Sequence, residues 1–170
     1  MDARHVVVDT LLGKVTLVAS GESVVGLYFP RHWHMPARDA LGAEVPVADD
    51  ALLNVAAGQL GEYLTGERGS FDLPAAASGD PFQERVWELL RDIPRGETVT
   101  YGALAARLGD RALAQPAGQA VGRNPLCVIV PCHRVVGADG RLTGYAGGLT
   151  RKQFLLDLEE PALAKAGRLF

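Results

Sequence analysis

A nucleophile and a base stand side by side at Cys132 and His133, within Pro131-Cys132-His133-Arg134-Val135. A cysteine reacts as its thiolate, and with an unperturbed pKa of about 8.5 it needs a neighbouring base or positive charge and shelter from competing reactions. The apolar run Leu126-Cys127-Val128-Ile129-Val130 is of strand type and delivers Pro131-Cys132-His133-Arg134 straight out of the core. Adjacent side chains on an extended segment point to opposite faces, so Cys132 and His133 are expected to communicate through a bridging water. A carboxylate accepting the second imidazole N–H would fix the tautomer, as in other nucleophile, base and orienter sets. Cys127, inside the apolar run, has the character of a small buried hydrophobe. Two cysteines make no disulfide framework and lack the ligand repetition of a zinc site, so free thiols are expected, with no metal and no cofactor. His32 and His34 have no third ligand nearby and are expected to be surface residues of a loop.

The elements that must position this pair are legible on both sides of it. Val6 to Val8, Val15 to Val18 and Val24 to Phe29 are broken by Leu12-Gly13-Lys14 and Gly21-Glu22-Ser23, which predicts three antiparallel strands. Arg31 to Pro46 is a loop, and Leu52, Leu53, Ala56, Leu60 and Leu64 carry helical spacing between Asp50 and Gly66. Phe71-Asp72-Leu73-Pro74 is expected as a short strand, followed by the small-residue linker Ala75-Ala76-Ala77-Ser78-Gly79. A boundary near 78 divides the chain into an N-terminal α/β unit, 1–78, and a mostly helical C-terminal unit, 79–170. Asp80, Pro81 and Gln83 form the start signature of a helix whose buried stripe is Phe82, Val86, Leu89 and Leu90. Thr100 caps a second helix, Tyr101 to Leu108, and a third runs from about Ala114 to Gly122 with Ala114, Ala117, Gly118 and Ala120 keeping it slim. Two short helices on a tight glycine-containing turn, with Arg107, Arg111 and Arg123 at their ends, fit either a helix-turn-helix or an ordinary helix pair.

Composition narrows the function classes. The chain has 170 residues, 48% hydrophobic and 22% charged, as expected of a soluble globular protein. No apolar run approaches the ~18 to 20 residues that span a bilayer, and the N-terminus is too polar for a secretory signal, so a cytoplasmic protein without a membrane partner is expected. The net charge of −3 argues against coating nucleic acid by bulk attraction. Yet residues 1–80 carry 5 Lys and Arg against 11 Asp and Glu, whereas residues 81–170 carry 12 against 9. That excess fits a phosphate-facing surface or a solvated arginine-rich face.

Asn124-Pro125, the apolar run and Pro-Cys-His-Arg-Val together resemble the O6-alkylguanine-DNA alkyltransferases, also called methylated-DNA-protein-cysteine methyltransferases. The resemblance extends over Phe82-Gln83-Glu84-Arg85-Val86-Trp87, Ile93-Pro94-Arg95-Gly96-Glu97-Thr98, Thr100-Tyr101-Gly102 and Gly144-Tyr145-Ala146-Gly147-Gly148-Leu149, from about Asp80 to Glu159. It implies an N-terminal α/β domain with an antiparallel, RNase H-like sheet and a helical C-terminal domain with a helix-turn-helix. The implied function is direct, single-turnover DNA repair, in which the alkyl group of O6-alkylguanine moves irreversibly to the protein's own cysteine. The implied partner is double-stranded DNA, bound through the minor groove with the target base flipped out, by a monomer that can assemble cooperatively along DNA.

On matching positions the resemblance makes Cys132 the acceptor, His133 its activator through a water and Glu159 the carboxylate that orients the histidine. Asn124 would tie the turn before the acceptor, and Tyr101 would help rotate the target phosphate and donate toward N3 of the leaving guanine. Tyr145, with Ala146 and Gly147 of the glycine-rich loop, would wall the pocket, and the backbone of Cys127 and Val130 would contact the base edge. Ala114, Gln115, Ala117, Gly118 and Arg123 would meet DNA. Gln115 departs from the family, which has an arginine there to fill the space of the flipped base. The shorter, uncharged side chain implies slower flipping and weaker duplex binding with the thiol chemistry intact. Two other classes of function compete: a non-catalytic sensor of alkylated DNA, and a thiol hydrolase that would turn over repeatedly.

Overall fold

The computed structural model describes residues 3–161; the rest of the expected C-terminal unit, 162–170, lies outside the described residues. Three antiparallel strands form as the sequence predicts, β1 (Ala3–Thr10), β2 (Gly13–Ser20) and β3 (Ser23–Tyr28). Leu11-Leu12 and Gly21-Glu22 make the hairpin turns, with Gly13 and Gly21 at positive φ. A two-residue strand, β4 (Ala43–Glu44), pairs parallel with β1 inside the segment expected as a plain loop, so the sheet order is β3-β2-β1-β4. Val15, Leu17 and Ala19 alternate onto the buried face of β2. Across β1, β2 and β3 packs α1 (Ala51–Leu64), whose N-cap Asp50 accepts a hydrogen bond from Leu53 N.

Two expected strands are not strands. At Phe71–Pro74 the backbone makes only an isolated bridge beyond its end, between Ala75 and Val24. The Gln59 side chain takes the place of a neighbouring strand there: its Nε2 donates to Asp72 O and its Oε1 accepts from Asp72 N, both at 2.8 Å. The run Leu126–Val130 likewise keeps one bridge, Leu126 with Leu27, and then folds back on itself. Its apolar composition reports burial, and burial is compatible with a turn once the backbone groups are satisfied locally.

The helical part follows the start and stop signals. The capping box of Asp80 and Gln83 opens α2 (Pro81–Arg91). A short strand β5 (Val99–Thr100) leads into α3 (Tyr101–Arg107), capped by Thr100, and a 3-10 turn, Arg111–Leu113, joins it to α4 (Ala114–Gly122). A second short strand, β6 (Val135–Val136), pairs parallel with β5, and α5 (Leu149–Glu159) closes the described chain. Trp87 Nε1 donates to Ala120 O at 2.8 Å, fixing α4 against α2. The molecule is thus mixed α/β, with a sheet in its N-terminal part and helices in its C-terminal part. One buried apolar cluster runs through both, from Leu17, Leu27 and Leu53 to Val86, Leu104, Leu126 and Leu155. The free edge of β3 is where they meet: Val24 N donates to Pro74 O and Leu27 N to Pro125 O. The sheet therefore holds the segment that precedes Cys132.

Candidate active site

Residues 124–134 fold as a knot of tight turns built on one side chain. Asn124 Nδ2 donates to Val130 O at 2.9 Å, and Asn124 Oδ1 accepts from Leu126 N at 3.0 Å, so one buried amide ties both ends of the apolar run. Between them Ile129 N donates to Cys127 O, a three-residue turn that places Val128 at φ 72. A β-branched residue in that region is strained, and such strain persists only where the surroundings over-determine it. A second three-residue turn follows at Pro131, where Cys132 N donates to Val130 O, and Cys132–Arg134 then form a single 3-10 turn. Cys132 and His133 therefore do not sit on opposite faces of an extended segment. In a 3-10 turn successive side chains are about 120° apart, and both are buried.

Behind the turn lies a buried ionic cluster. His133 and Glu159 are buried, and His133 Nε2 lies 2.8 Å from Glu159 Oε2. Arg134 grips the same carboxylate with Nε to Oε1 and Nη2 to Oε2, both at 2.9 Å, and its Nη1 donates to Ile93 O. The Tyr63 hydroxyl also donates to Glu159. Burial opposes ionisation of Glu159, yet the hydrogen bonds from His133, Arg134 and Tyr63 hold its carboxyl down to about 2. Burial lowers the pKa of His133 despite the carboxylate beside it. A neutral His133 giving its Nε2 proton to Glu159 leaves Nδ1 as a lone pair, and that atom is buried with no hydrogen-bond partner among the described residues.

The thiol of Cys132 is held acidic by what surrounds it. The Cys127 thiol donates to it across 3.9 Å, and the Asn124 amide and the charge of Lys152 work the same way, outweighing burial. Lys152 is fully buried, with Nζ donating to Val135 O at 2.6 Å and Gly144 O at 2.9 Å, and burial pulls its pKa down to about 8. Cys127 is pushed well up by its hydrogen bond to Cys132 and by burial. Cys132 lies in the wall of a cavity of about 190 Å³, with Tyr101, Gly118, Tyr145, Ala146 and Trp33 among its other walls.

The expected site residues separate into three groups. Asn124 acts on the Cys132 thiol and the adjoining His133 pairs with Glu159, and Tyr101, Tyr145, Ala146 and Gly118 share the cavity with Cys132. Cys127, Val130 and Gly147 stand behind that wall. Val130 O accepts from both Asn124 and Cys132 N, and Gly147 O accepts from Arg151 at 2.8 Å. On α4, Gln115 and Arg123 are exposed and Ala114 is half-buried. Ala117, expected on the slim outer face, is fully buried together with Ala120, because the 117, 120, 121 stripe is what α4 packs inward. Its outer face is Gln115, Gly118, Gln119 and Gly122.

The chain is similar to known proteins. The profile described as 6-O-methylguanine DNA methyltransferase, DNA binding domain, matches residues 81–161. The chain is 40% identical over 153 residues to the methylated-DNA–protein-cysteine methyltransferase of Mycobacterium tuberculosis, covering 90% of each chain. With the protein of the same name from Mycolicibacterium paratuberculosis it shares 43% over 152 residues, 89% of each. The chain belongs to the 6-O-methylguanine DNA methyltransferase family. Its fold also matches the crystal structure of the M. tuberculosis protein in complex with DNA, with a TM-score of 0.81 at 38% identity over 94% of this chain and 96% of that one.

Within this methyltransferase, four functional neighbours escaped the sequence reading. Lys152 shares a buried stripe with Leu155 and Glu159 on α5, and a lysine on that stripe was the available signal. Tyr63 sits on the buried face of α1, where its spacing marks only core. His32, expected at the surface, is buried: its Nδ1 accepts from Phe29 N at 3.2 Å, and its Nε2 lies 3.9 Å from Cys127 Sγ. Trp33, half-exposed at the cavity mouth, follows it in a loop whose path no periodicity predicts.

Proposed function

We propose that the protein repairs DNA directly, taking the alkyl group of O6-alkylguanine onto Cys132 in one irreversible event. The observation that carries this is an acidified thiol in a cavity wall, next in sequence to a buried histidine–carboxylate pair whose second imidazole nitrogen has no hydrogen-bond partner among the described residues. In the reaction the Cys132 thiolate displaces the alkyl carbon in line. The S–C bond forms as the C–O6 bond breaks, and the electron pair leaves with guanine. His133 takes the thiol proton through a water, oriented by Glu159. Tyr101 donates toward N3, so guanine departs neutral. The thioether product offers no leaving group to water, which is why each molecule acts once. The sensor alternative is disfavoured because a protein without chemistry has no use for such a thiol.

The target atom is inside the duplex, so the nucleotide must leave the stack, at a cost of a few kcal/mol that a weakened lesion pair reduces. We read α3, the Arg111–Leu113 turn and α4 as a helix-turn-helix that enters the minor groove by its narrow outer face, and the N-terminal sheet as RNase H-like. Exposed Arg107, Arg111 and Arg123 border that face and suit phosphate contact. Residues 1–78 and 79–170 then divide the labour: the first supports the acceptor turn and the second binds DNA and carries the chemistry. No helix among the described residues is long and apolar enough to cross a membrane.

The test is a stoichiometry. Duplex carrying isotopically labelled O6-methylguanine should transfer label up to one equivalent per protein and then stop, and Cys132→Ser should take none. Continued turnover would point to a hydrolase.

A further inference from the structure

Cys127 and Cys132 are the chain's two cysteines, and their sulfurs lie 3.9 Å apart in the buried core of the acceptor turn. Cys132 meets the cavity, whereas Cys127 lies behind it with no exposure, against His32 Nε2 on its far side. A disulfide needs about 2.05 Å between sulfurs, so each must move roughly 1 Å, and residues 127–131 belong to no helix or strand whose ladder would resist.

We propose that Cys127 and Cys132 form a reversible disulfide under hydroperoxide, which closes the acceptor site and shields Cys132 from irreversible oxidation. The proposal rests on Cys132 being the alkyl acceptor. A hydroperoxide reaching the cavity is attacked by the Cys132 thiolate. The O–O bond breaks, sulfur loses two electrons to become the sulfenic acid, and the alkoxide or hydroxide released takes up a proton. Cys127 then attacks that sulfur, its proton leaves with the sulfenic oxygen as water, and the S–S bond closes.

The neighbours suit each step. Cys132 is the acidic partner and Cys127 the protonated one, which assigns the first as peroxide-reactive and the second as resolving thiol. Phe29 N donates to His32 Nδ1, so the neutral ring carries its proton on Nε2, facing Cys127 sulfur, where it stabilises the thiolate as it forms. A dithiol restores both cysteines and is oxidised to its own disulfide. For a protein that spends its acceptor once, a reversible cap preserves the acceptor for DNA.

The experiment treats the reduced full chain with hydrogen peroxide and reads the tryptic fragment 124–134, which contains both cysteines, by non-reducing mass spectrometry. The expected result is loss of two hydrogens from that fragment, complete loss of methyl acceptance, and recovery of both by dithiothreitol. Cys127→Ala and Cys127→Ser should instead add oxygen to Cys132 and lose acceptance permanently. The readout is the ratio of reversible to irreversible loss, which does not depend on a variant's basal rate. Oxygen addition to Cys132 in the unsubstituted protein, irreversible by dithiothreitol, overturns the proposal, as does a disulfide between two molecules. A reduced protein that takes no methyl group overturns the repair function instead, and the internal disulfide, read by mass alone, would still stand.

Discussion

The acceptor turn and the outer face of α4 are adjacent and differ in how they are held. Around Cys132 most polar groups are buried and engaged: Asn124 closes the turn, Glu159 accepts from three side chains, and Lys152 is spent on two carbonyls, while among the described residues His133 Nδ1 and the Tyr145 hydroxyl are buried without a partner. On α4 the outward residues are Gln115, Gly118, Gln119 and Gly122, and the helix has no side-chain N-cap. Chemistry needs groups fixed in advance, because a catalytic dipole that must reorganise gives up its advantage. A surface that approaches DNA closely needs small residues instead. The first region should therefore answer substitution with loss of stability and reactivity together, and the second with changes in binding or transfer that bring no loss of stability.

The sharpest way to break that contrast is Glu159→Ala. Removing the carboxylate leaves a buried guanidinium and imidazole unpaired, and denaturant unfolding should show a loss of about 3 to 5 kcal/mol. The same carboxylate sets an acid limit. Its folded pKa of about 2 lies below the ordinary value of 4.5, so in that window the unfolded chain binds the extra proton and stability rises with pH. Stability is expected intact above about 4.5 and lost progressively toward 2, with a flatter profile in Glu159→Ala. Asn124→Ala is next. It orphans Leu126 N and leaves Val130 O with Cys132 N as its remaining donor, costing about 1 to 3 kcal/mol by the same assay, and should move the pH–rate profile of transfer to higher pH because the thiolate loses a donor.

On α4 the expected effects are smaller and of a different kind. Gln115→Arg should tighten binding to O6-methylguanine duplex on the order of tenfold, by one charged hydrogen bond, with stability within about 0.5 kcal/mol of the parent in thermal melts. An unchanged affinity and repair rate would show that the glutamine is no handicap. Gly118→Ala should stabilise the helix by about 0.5 to 1 kcal/mol, since its Cβ would meet the Tyr101 ring at an ordinary 3.5 Å. The methyl narrows the cavity wall, so transfer should slow while the melting temperature rises. A parallel fall in both would erase the contrast between the regions.

The two regions also differed in how far they could be read in advance. Helix starts were legible because Asp80, Gln83 and Thr100 act on their own neighbours, and α2 and α3 begin where those signals place them. The link from His133 to Glu159 came from resemblance, and the contact is present. Hidden was whatever depends on a distant side chain replacing a backbone partner. Gln59 satisfies Asp72 and Asn124 satisfies Leu126 and Val130, so of two segments that look like strands one is irregular and the other a set of turns. Tyr63 and His32 reach the site from 96 and 95 residues away in sequence, a separation at which local pattern carries no information.

The most direct test of the account is peptide mass spectrometry after incubation with duplex DNA carrying O6-methylguanine. One methyl group located on Cys132, saturating at one equivalent and absent in Cys132→Ser, is the predicted result. A methyl group on Cys127, or none on either cysteine while the duplex still binds, would contradict the assignment of Cys132 as the acceptor.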